Sequence, residues 1–243
     1  MGDAPPISED EAMAALMARN PSQPREESEV AKNIGVQLKH MELQSPSLSV
    51  RRRIRDISAR LQPEKVIEVG SGIGHLSSWL LDLWEREDVR PLSYELVESG
   101  PKFGVILKRL LQRYSMVDGA RVVVGKFEQL AAESAAWQAA SSSISSQTAE
   151  ASLGDAPLRI PADLIIIDVG DSSQCSCIRA SLPLLSENGW IITIEPDVPS
   201  EDETDQDKIA AFQDWIDLIK EISQSRRMAF QPLTGGTLVV IGN

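Results

Sequence analysis

Cysteine, histidine and positive charge are all scarce in this chain, and each shortage excludes a class of function. The 243 residues include two cysteines and two histidines. Cys175 and Cys177 are separated by a single residue and cannot staple distant segments, so a reducing, cytoplasmic setting is the simplest expectation. With no second cysteine pair and so little histidine, the familiar spacing of a zinc clip is missing. Basic side chains number 24 against 36 acidic ones, a net charge of −12. That balance argues against nonspecific binding to nucleic acid or to an anionic membrane, both of which need a basic footprint. No apolar run approaches the ~20 residues of a membrane span. The segment Met1-Gly2-Asp3-Ala4-Pro5-Pro6 lacks the basic-then-apolar order of a signal peptide.

What the chain does have is concentrated in Val66-Ile67-Glu68-Val69-Gly70-Ser71-Gly72-Ile73-Gly74-His75. A short apolar strand, interrupted by one acid, runs into glycines at every second position, and a helix begins near Leu76. Alternating glycines remove Cβ atoms at the strand-to-helix turn, so a ligand can lie against the backbone. The spacing E-x-G-x-G-x-G differs from the G-x-G-x-x-G of dinucleotide folds. A second strand, Leu92–Leu96, contains Glu95 about 20 residues past Gly74, the placement of an acid that accepts ribose hydroxyls. Together these features predict an adenosine-type ligand on an open α/β sheet, with Glu95 on the ribose.

The rest of the chain continues that alternation. Strands are expected at Lys65–Val69, Leu92–Leu96, Arg121–Val124, Ala162–Asp168 and Trp190–Glu195, with helices near Leu76–Glu85, Lys102–Tyr114, Ser176–Leu185 and Lys208–Ser223. Near-continuous apolar strands such as Leu164-Ile165-Ile166-Ile167 suit a parallel sheet covered on both faces. Residues 1–27 read as a flexible or loosely docked segment around a helical pattern at Glu9–Arg19, and residues 28–243 as a single domain. Helices are also expected at Ser28–His40 and Ser49–Leu61. In the latter, Val50, Ile54, Ile57 and Leu61 form the apolar face and Arg51, Arg52, Arg53 and Arg55 a solvated one. Residues 138–160 read as a flexible insertion, within which Ser141–Pro157 can be replaced by a short linker without loss of stability. The acidic run Glu201–Asp207 reads as a solvated loop that also favours the start of the following helix.

In the order of its landmarks the chain resembles the class I S-adenosylmethionine (SAM)-dependent methyltransferases, and within them the catechol and caffeoyl-CoA O-methyltransferase-like family. The resemblance rests on Met41-Glu42-Leu43-Gln44-Ser45-Pro46-Ser47, the glycine loop, Leu164-Ile165-Ile166-Ile167-Asp168, and Leu182-Pro183-Leu184-Leu185 followed by Asn188-Gly189-Trp190. It closes with Pro232-Leu233-Thr234-Gly235-Gly236-Thr237-Leu238. It implies a Rossmann-like, doubly wound, mostly parallel seven-stranded sheet with helices on both faces and an antiparallel C-terminal strand. It also implies a SAM site at Glu68, Gly70, Ser71, Gly72, Gly74, Glu95, Leu96, Phe127 and Asp168. Glu68 would brace the loop or meet the cofactor's ammonium, Leu96 would pack on the adenine, and Phe127 would be either an aromatic wall or a core residue.

The acceptor side departs from that family. Metal-dependent members use an Asp after strand four, an Asp-Asn pair after strand five and a Lys base. Here Asp168 matches the first Asp, Glu195 stands for the second acid, Pro196 replaces Asn and Asp171 replaces Lys. Asp168, Asp171 and Glu195 are expected to converge. They would then either hold a weakly bound divalent cation such as Mg²⁺, chiefly through Asp168 and Glu195, or raise one carboxyl's pKa until Asp168 or Asp171 serves as the base. His40 and His75 could act as bases but read better as structural or surface residues. The leading expectation is O-methylation of a small-molecule acceptor, with a homodimer left open. The alternatives are a noncatalytic SAM-binding protein and an RNA-modifying methyltransferase, the latter opposed by the charge.

Overall fold

The computed structural model describes residues 8–142 and 154–243. Seven strands form one sheet: β1 (Lys65–Val69), β2 (Ser93–Glu98), β3 (Ala120–Val124), β4 (Ala162–Ile167), β5 (Leu185–Ile194), β6 (Arg227–Leu233) and β7 (Gly236–Gly242). Their order across the sheet is β3-β2-β1-β4-β5-β7-β6. β1 lies parallel to both β2 and β4, and β7 runs antiparallel between β5 and β6. This is the doubly wound, mostly parallel architecture that the sequence predicts. The chain reverses direction across the sheet at β1 and β4, so the ends of these strands open a crevice where such sheets bind ligands.

The helices follow from local signals. Ser8, Ser28 and Ser47 cap α1 (Glu9–Met17), α2 (Glu29–His40) and α3 (Leu48–Leu61), each accepting a backbone N–H of the first turn. Gly74, at φ +88°, starts α4 (His75–Glu87), and Pro101 opens α5 (Pro101–Arg113). α6 (Phe127–Ser142) follows β3, and α7 (Asp171–Ser181) precedes a 3₁₀ turn at Leu182–Leu184. α8 (Gln206–Ile222) is capped by Asp205, so the end of the acidic run is a helix cap. Two apolar layers cover the sheet. Val66, Leu96, Leu164 and Ile192 face the layer containing α3, α4 and α5, while Ile67, Val97, Ile165 and Ile191 face α6, α7 and α8. Leu80 is fully buried in the first layer, where truncation to alanine is expected to cost about 2–5 kcal/mol. Among the described residues, no helix is long and apolar enough to cross a membrane.

Three expectations change here. First, the arginines of α3 are not a solvated face: Arg51 and Arg55 are buried. Arg53 donates to the Met17 carbonyl, Arg55 to that of Pro24 at 2.7 Å and Arg60 to that of Ala18 at 2.6 Å. Residues 16–25 wrap over the helix, and the guanidinium groups satisfy carbonyls that their irregular backbone leaves unpaired. Second, the flanks of the expected insertion are ordered. Residues 138–142 continue α6, and Leu158 is fully buried in the second apolar layer, its N–H donating to Ser134 Oγ at 2.9 Å. Residues 143–153, the rest of that expectation, lie outside the described residues. Third, β2 extends past Leu96 to Glu98, which relocates the acid at its tip.

Candidate active site

The glycine turn is built by three close approaches. Gly70 has φ +83°, and a Cβ there would stand 2.0 Å from the Asp168 carbonyl, so only glycine lets β1 end against β4. At Gly74 a Cβ would stand 2.4 Å from Leu110, so this glycine serves the contact between α4 and α5. At Gly72, φ +53°, a Cβ would meet nothing within 4 Å. Gly72 is therefore the glycine that presents bare backbone to open space. Ser71 is buried, and its hydroxyl donates to the Glu68 carbonyl at 3.2 Å, holding the turn from inside.

Glu68 lies beneath this turn, buried among Tyr94, Ser77 and Ser71. Tyr94 donates its hydroxyl to one carboxylate oxygen and Ser77 donates to the other at 2.7 Å. Burial pushes its pKa up to about 7 against the pull of these donors. A carboxyl so enclosed braces the turn from below.

The second-strand acid is where sequence and structure part. Glu95 is fully buried in the middle of β2. Its carboxylate pairs with Arg121 at 2.6 Å and accepts the Arg159 N–H at 2.9 Å. It faces α6 and the 156–159 segment, away from the glycine turn, so the expected ribose position is corrected. Leu96 is buried in the first apolar layer and does not line the cleft beside the turn. Phe127 is buried beside Val97 and Ala131 as a core aromatic. The acid at the strand's tip is Glu98, which accepts the Gly72 N–H at 2.9 Å and the Gly100 N–H at 2.8 Å. The signal for it is in the sequence: Ser99-Gly100-Pro101 follows at once and marks the strand's end.

Beside the turn a cleft of 390 Å³ opens at the ends of β4 and β5, with Gly70, Asp168, Asp171, Gln174, Glu195 and Asp197 on its walls. Ser45 and Gly235 close the opposite side. Burial, reinforced by the Glu68 charge and opposed by Arg51, pushes Asp168 up to about 7. Gln174 donates to Thr193 Oγ1 at 2.8 Å, and Thr193 donates to the Ile167 carbonyl, tying α7 to the strand ends. Pattern reading missed Gln44, Ser45, Gln174 and Thr193, because loop and helix residues converge only in the fold.

His75, the first residue of α4, faces Ser45 through Nδ1 at 2.9 Å and Glu27 through Nε2 at 3.6 Å. Burial and the nearby Arg51 push its pKa down to about 4 despite Glu27, so at neutral pH the imidazole is uncharged and its contact with Glu27 is not an ion pair. His75 is structural, linking the 45–46 segment to α4. Cys175 and Cys177 are buried free thiols pushed up to about 12, chiefly by burial, and are correspondingly unreactive.

A divalent cation would need converging donors. Asp168, Asp171 and Glu195 share the cleft, but among the described residues no three His, Cys, Asp or Glu side chains group closely enough to hold a metal ion. Asp171 begins α7 and does not join Asp168 and Glu195 in such a group, so the expected three-acid convergence is corrected. This donor set does not fit a three-carboxylate ion, and no step below runs through a metal.

No protein-family profile matches the chain, and no curated protein resembles it closely in sequence. Solved structures do share its fold. An O-methyltransferase from Bacillus cereus in complex with SAH superposes with a TM-score of 0.63 at 13% identity, over 90% of this chain and 92% of that one. An O-methyltransferase from Streptomyces achromogenes involved in tomaymycin synthesis, in complex with SAM, gives 0.61 at 13% identity over 95% and 93%. An SAH-bound methyltransferase from Podospora anserina gives 0.57 at 15% identity over 99% and 98%. At these identities the likeness establishes a common fold, the Rossmann-like methyltransferase architecture.

Proposed function

We propose that this chain is a SAM-dependent methyltransferase acting on an oxygen of a small-molecule acceptor. The observation that carries the reading is the bare backbone of Gly72 beside the Glu98 carboxylate, on the same turn whose Gly70 lines the cleft that contains Asp168. Such an edge fits the cofactor: Gly72 allows close approach, and Glu98 keeps lone pairs beyond the two N–H groups it accepts, enough to receive ribose hydroxyls. Glu98 thus takes the role that the sequence assigns to Glu95. SAM, when bound, supplies an electrophilic methyl group. The chain's own task is to align an acceptor oxygen in line with that methyl and to remove its proton, and alignment alone can contribute on the order of 7–11 kcal/mol.

Asp168 is the group placed to take the proton. With its pKa near 7 it is partly ionised at neutral pH and basic enough to accept a hydroxyl proton as the bond to carbon forms. Asp171, in the same cleft, orients the acceptor instead. The free thiols suit a reducing, cytoplasmic setting. Incubation with SAM and a panel of phenols and catechols, followed by mass spectrometry, tests the reading. The expected result is a mass gain of one methyl group with stoichiometric SAH, lost in Asp168→Asn. Tight SAH binding with no product from any hydroxyl acceptor would instead favour a noncatalytic binding protein.

A further inference from the structure

A concentration of positive charge in this acidic chain lies outside the cleft. A cavity of 570 Å³ opens where residues 19–25 cross α3 and meet the 232–234 turn, and its walls carry Arg19, Arg25, Arg52, Arg53 and Arg55. Among the described residues lining it, Asp56 is the one carboxylate. That carboxylate is already engaged, by Arg55 at 2.8 Å and by the Asn20 N–H at 2.9 Å. Arg52 and Arg53 donate to backbone carbonyls of the wrapping segment. Carbonyls satisfy hydrogen bonds but do not neutralise charge. Arg52 Nε is shut off from solvent with no hydrogen-bond partner, and burial, with a lesser push from the like charge of Arg60, disfavours the charged form of Arg53 despite the attraction of Asp56. Arg19 and Arg25 are exposed at the rim.

A chain with a net charge of −12 has ample carboxylates to neutralise such a cluster, yet four of its five guanidinium groups face the cavity without an ion pair among the described residues. Guanidinium forks match the oxygens of phosphate in paired hydrogen bonds, and a concave wall focuses their field. We propose that this cavity binds a small phosphate-bearing molecule, with Arg19, Arg25 and Arg52 as its donors. The ligand is separate from the acceptor. The cavity and the cleft share no lining residue, and the Ser47 hydroxyl, donating to the Thr234 carbonyl at 2.7 Å, stands between them. An anion there would clamp residues 19–25 onto α3, which is where the inference extends beyond methyl transfer and stays independent of it.

Inorganic pyrophosphate is the probe, titrated calorimetrically at constant ionic strength into the full chain and into an Arg19→Gln/Arg25→Gln double variant. Among the described residues these two side chains make no hydrogen bond or ion pair, so the variant is expected to fold with an unchanged melting temperature. The expected result is saturable binding to the native chain and binding weaker by about tenfold or more in the variant, the loss of one charge-assisted contact or more. Trypsin cleavage after Arg19 and Arg25 should slow when pyrophosphate is present in the native chain. Arg52→Lys, which keeps the charge and loses the fork, should also bind more weakly. Equal affinity in native and double-variant chains, an effect that sodium chloride reproduces, or mutual exclusion between pyrophosphate and SAH would each overturn the proposal.

Discussion

Glu95 and Glu98 lie on the same strand, three positions apart, and have opposite fates. Glu95 points to the α6 side and is sealed into the interior with Arg121; Glu98 stands at the strand's tip, holding the N–H groups of Gly72 and Gly100. Strand periodicity puts neighbouring residues on opposite faces, so an odd separation assigns the two acids to different layers. An acid in a strand is therefore a candidate ligand group only at the strand's end, where the backbone leaves open space beside it. Inside the sheet the same carboxylate is a structural ion.

The largest effect should come from breaking the interior member. Glu95→Ala leaves Arg121 and the Arg159 N–H without their acceptor, a loss on the order of 3–5 kcal/mol for a buried pair, toward the lower end because Arg121 is 30% exposed and rehydrates. Chemical denaturation should show this loss while the folded fraction binds SAH with unchanged affinity. A large fall in SAH affinity in folded protein would return the ribose to Glu95.

The other interior acid gives a pH signature. The folded pKa of Glu68, about 7, lies above its ordinary 4.5, so the fold retains a proton that the unfolded chain releases. Its contribution is full below about pH 4.5, declines as pH rises toward 7, and is flat beyond, an effect on the order of 3 kcal/mol. Asp168, raised from 3.8 to about 7, acts in the same direction. Melting temperature should fall between pH 5 and 7 and fall less in Glu68→Gln. An identical slope in the variant would remove Glu68 as the source.

Smaller effects are expected at the tip. Glu98→Ala should weaken SAH binding by about 1–3 kcal/mol, the cost of deleting a charged acceptor, with a smaller change in melting temperature than Glu95→Ala. Unchanged affinity would place the ribose elsewhere. The smallest effect of all is expected from chelation: Asp168 and Glu195 offer a divalent cation two carboxylates of the cleft, a weak site, so EDTA should change methyl transfer less than Glu98→Ala does. A loss restored by Mg²⁺ would contradict this.

The legibility of the sequence follows the same division between local and distant causes. The glycine turn, β1 and the apolar stripes of α3 and α4 are local patterns, and the mostly parallel seven-stranded sheet follows from the resemblance. The end of β2 is hard to place because Leu96-Val97-Glu98 reads as apolar residues with one acid until the Ser99-Gly100-Pro101 punctuation is given weight. Helical spacing in α3 separates an apolar face from an arginine face, but it cannot tell that residues 16–25 will cover the latter. Nor does a segment of small residues announce that Leu158 closes the second layer. Phe127 and Leu96 stand close in sequence to the ends of β3 and β2, where a ligand is expected, yet apolar side chains beside a sheet are most easily satisfied by core burial.

Calorimetric titration of the native chain with SAH and, separately, with NAD tests the central claim most directly, that the Gly72 and Glu98 edge is a SAM site. The account predicts saturable SAH binding, reduced in Glu98→Ala and retained in folded Glu95→Ala, with no heat from NAD. Binding of NAD with no response to SAH would contradict it.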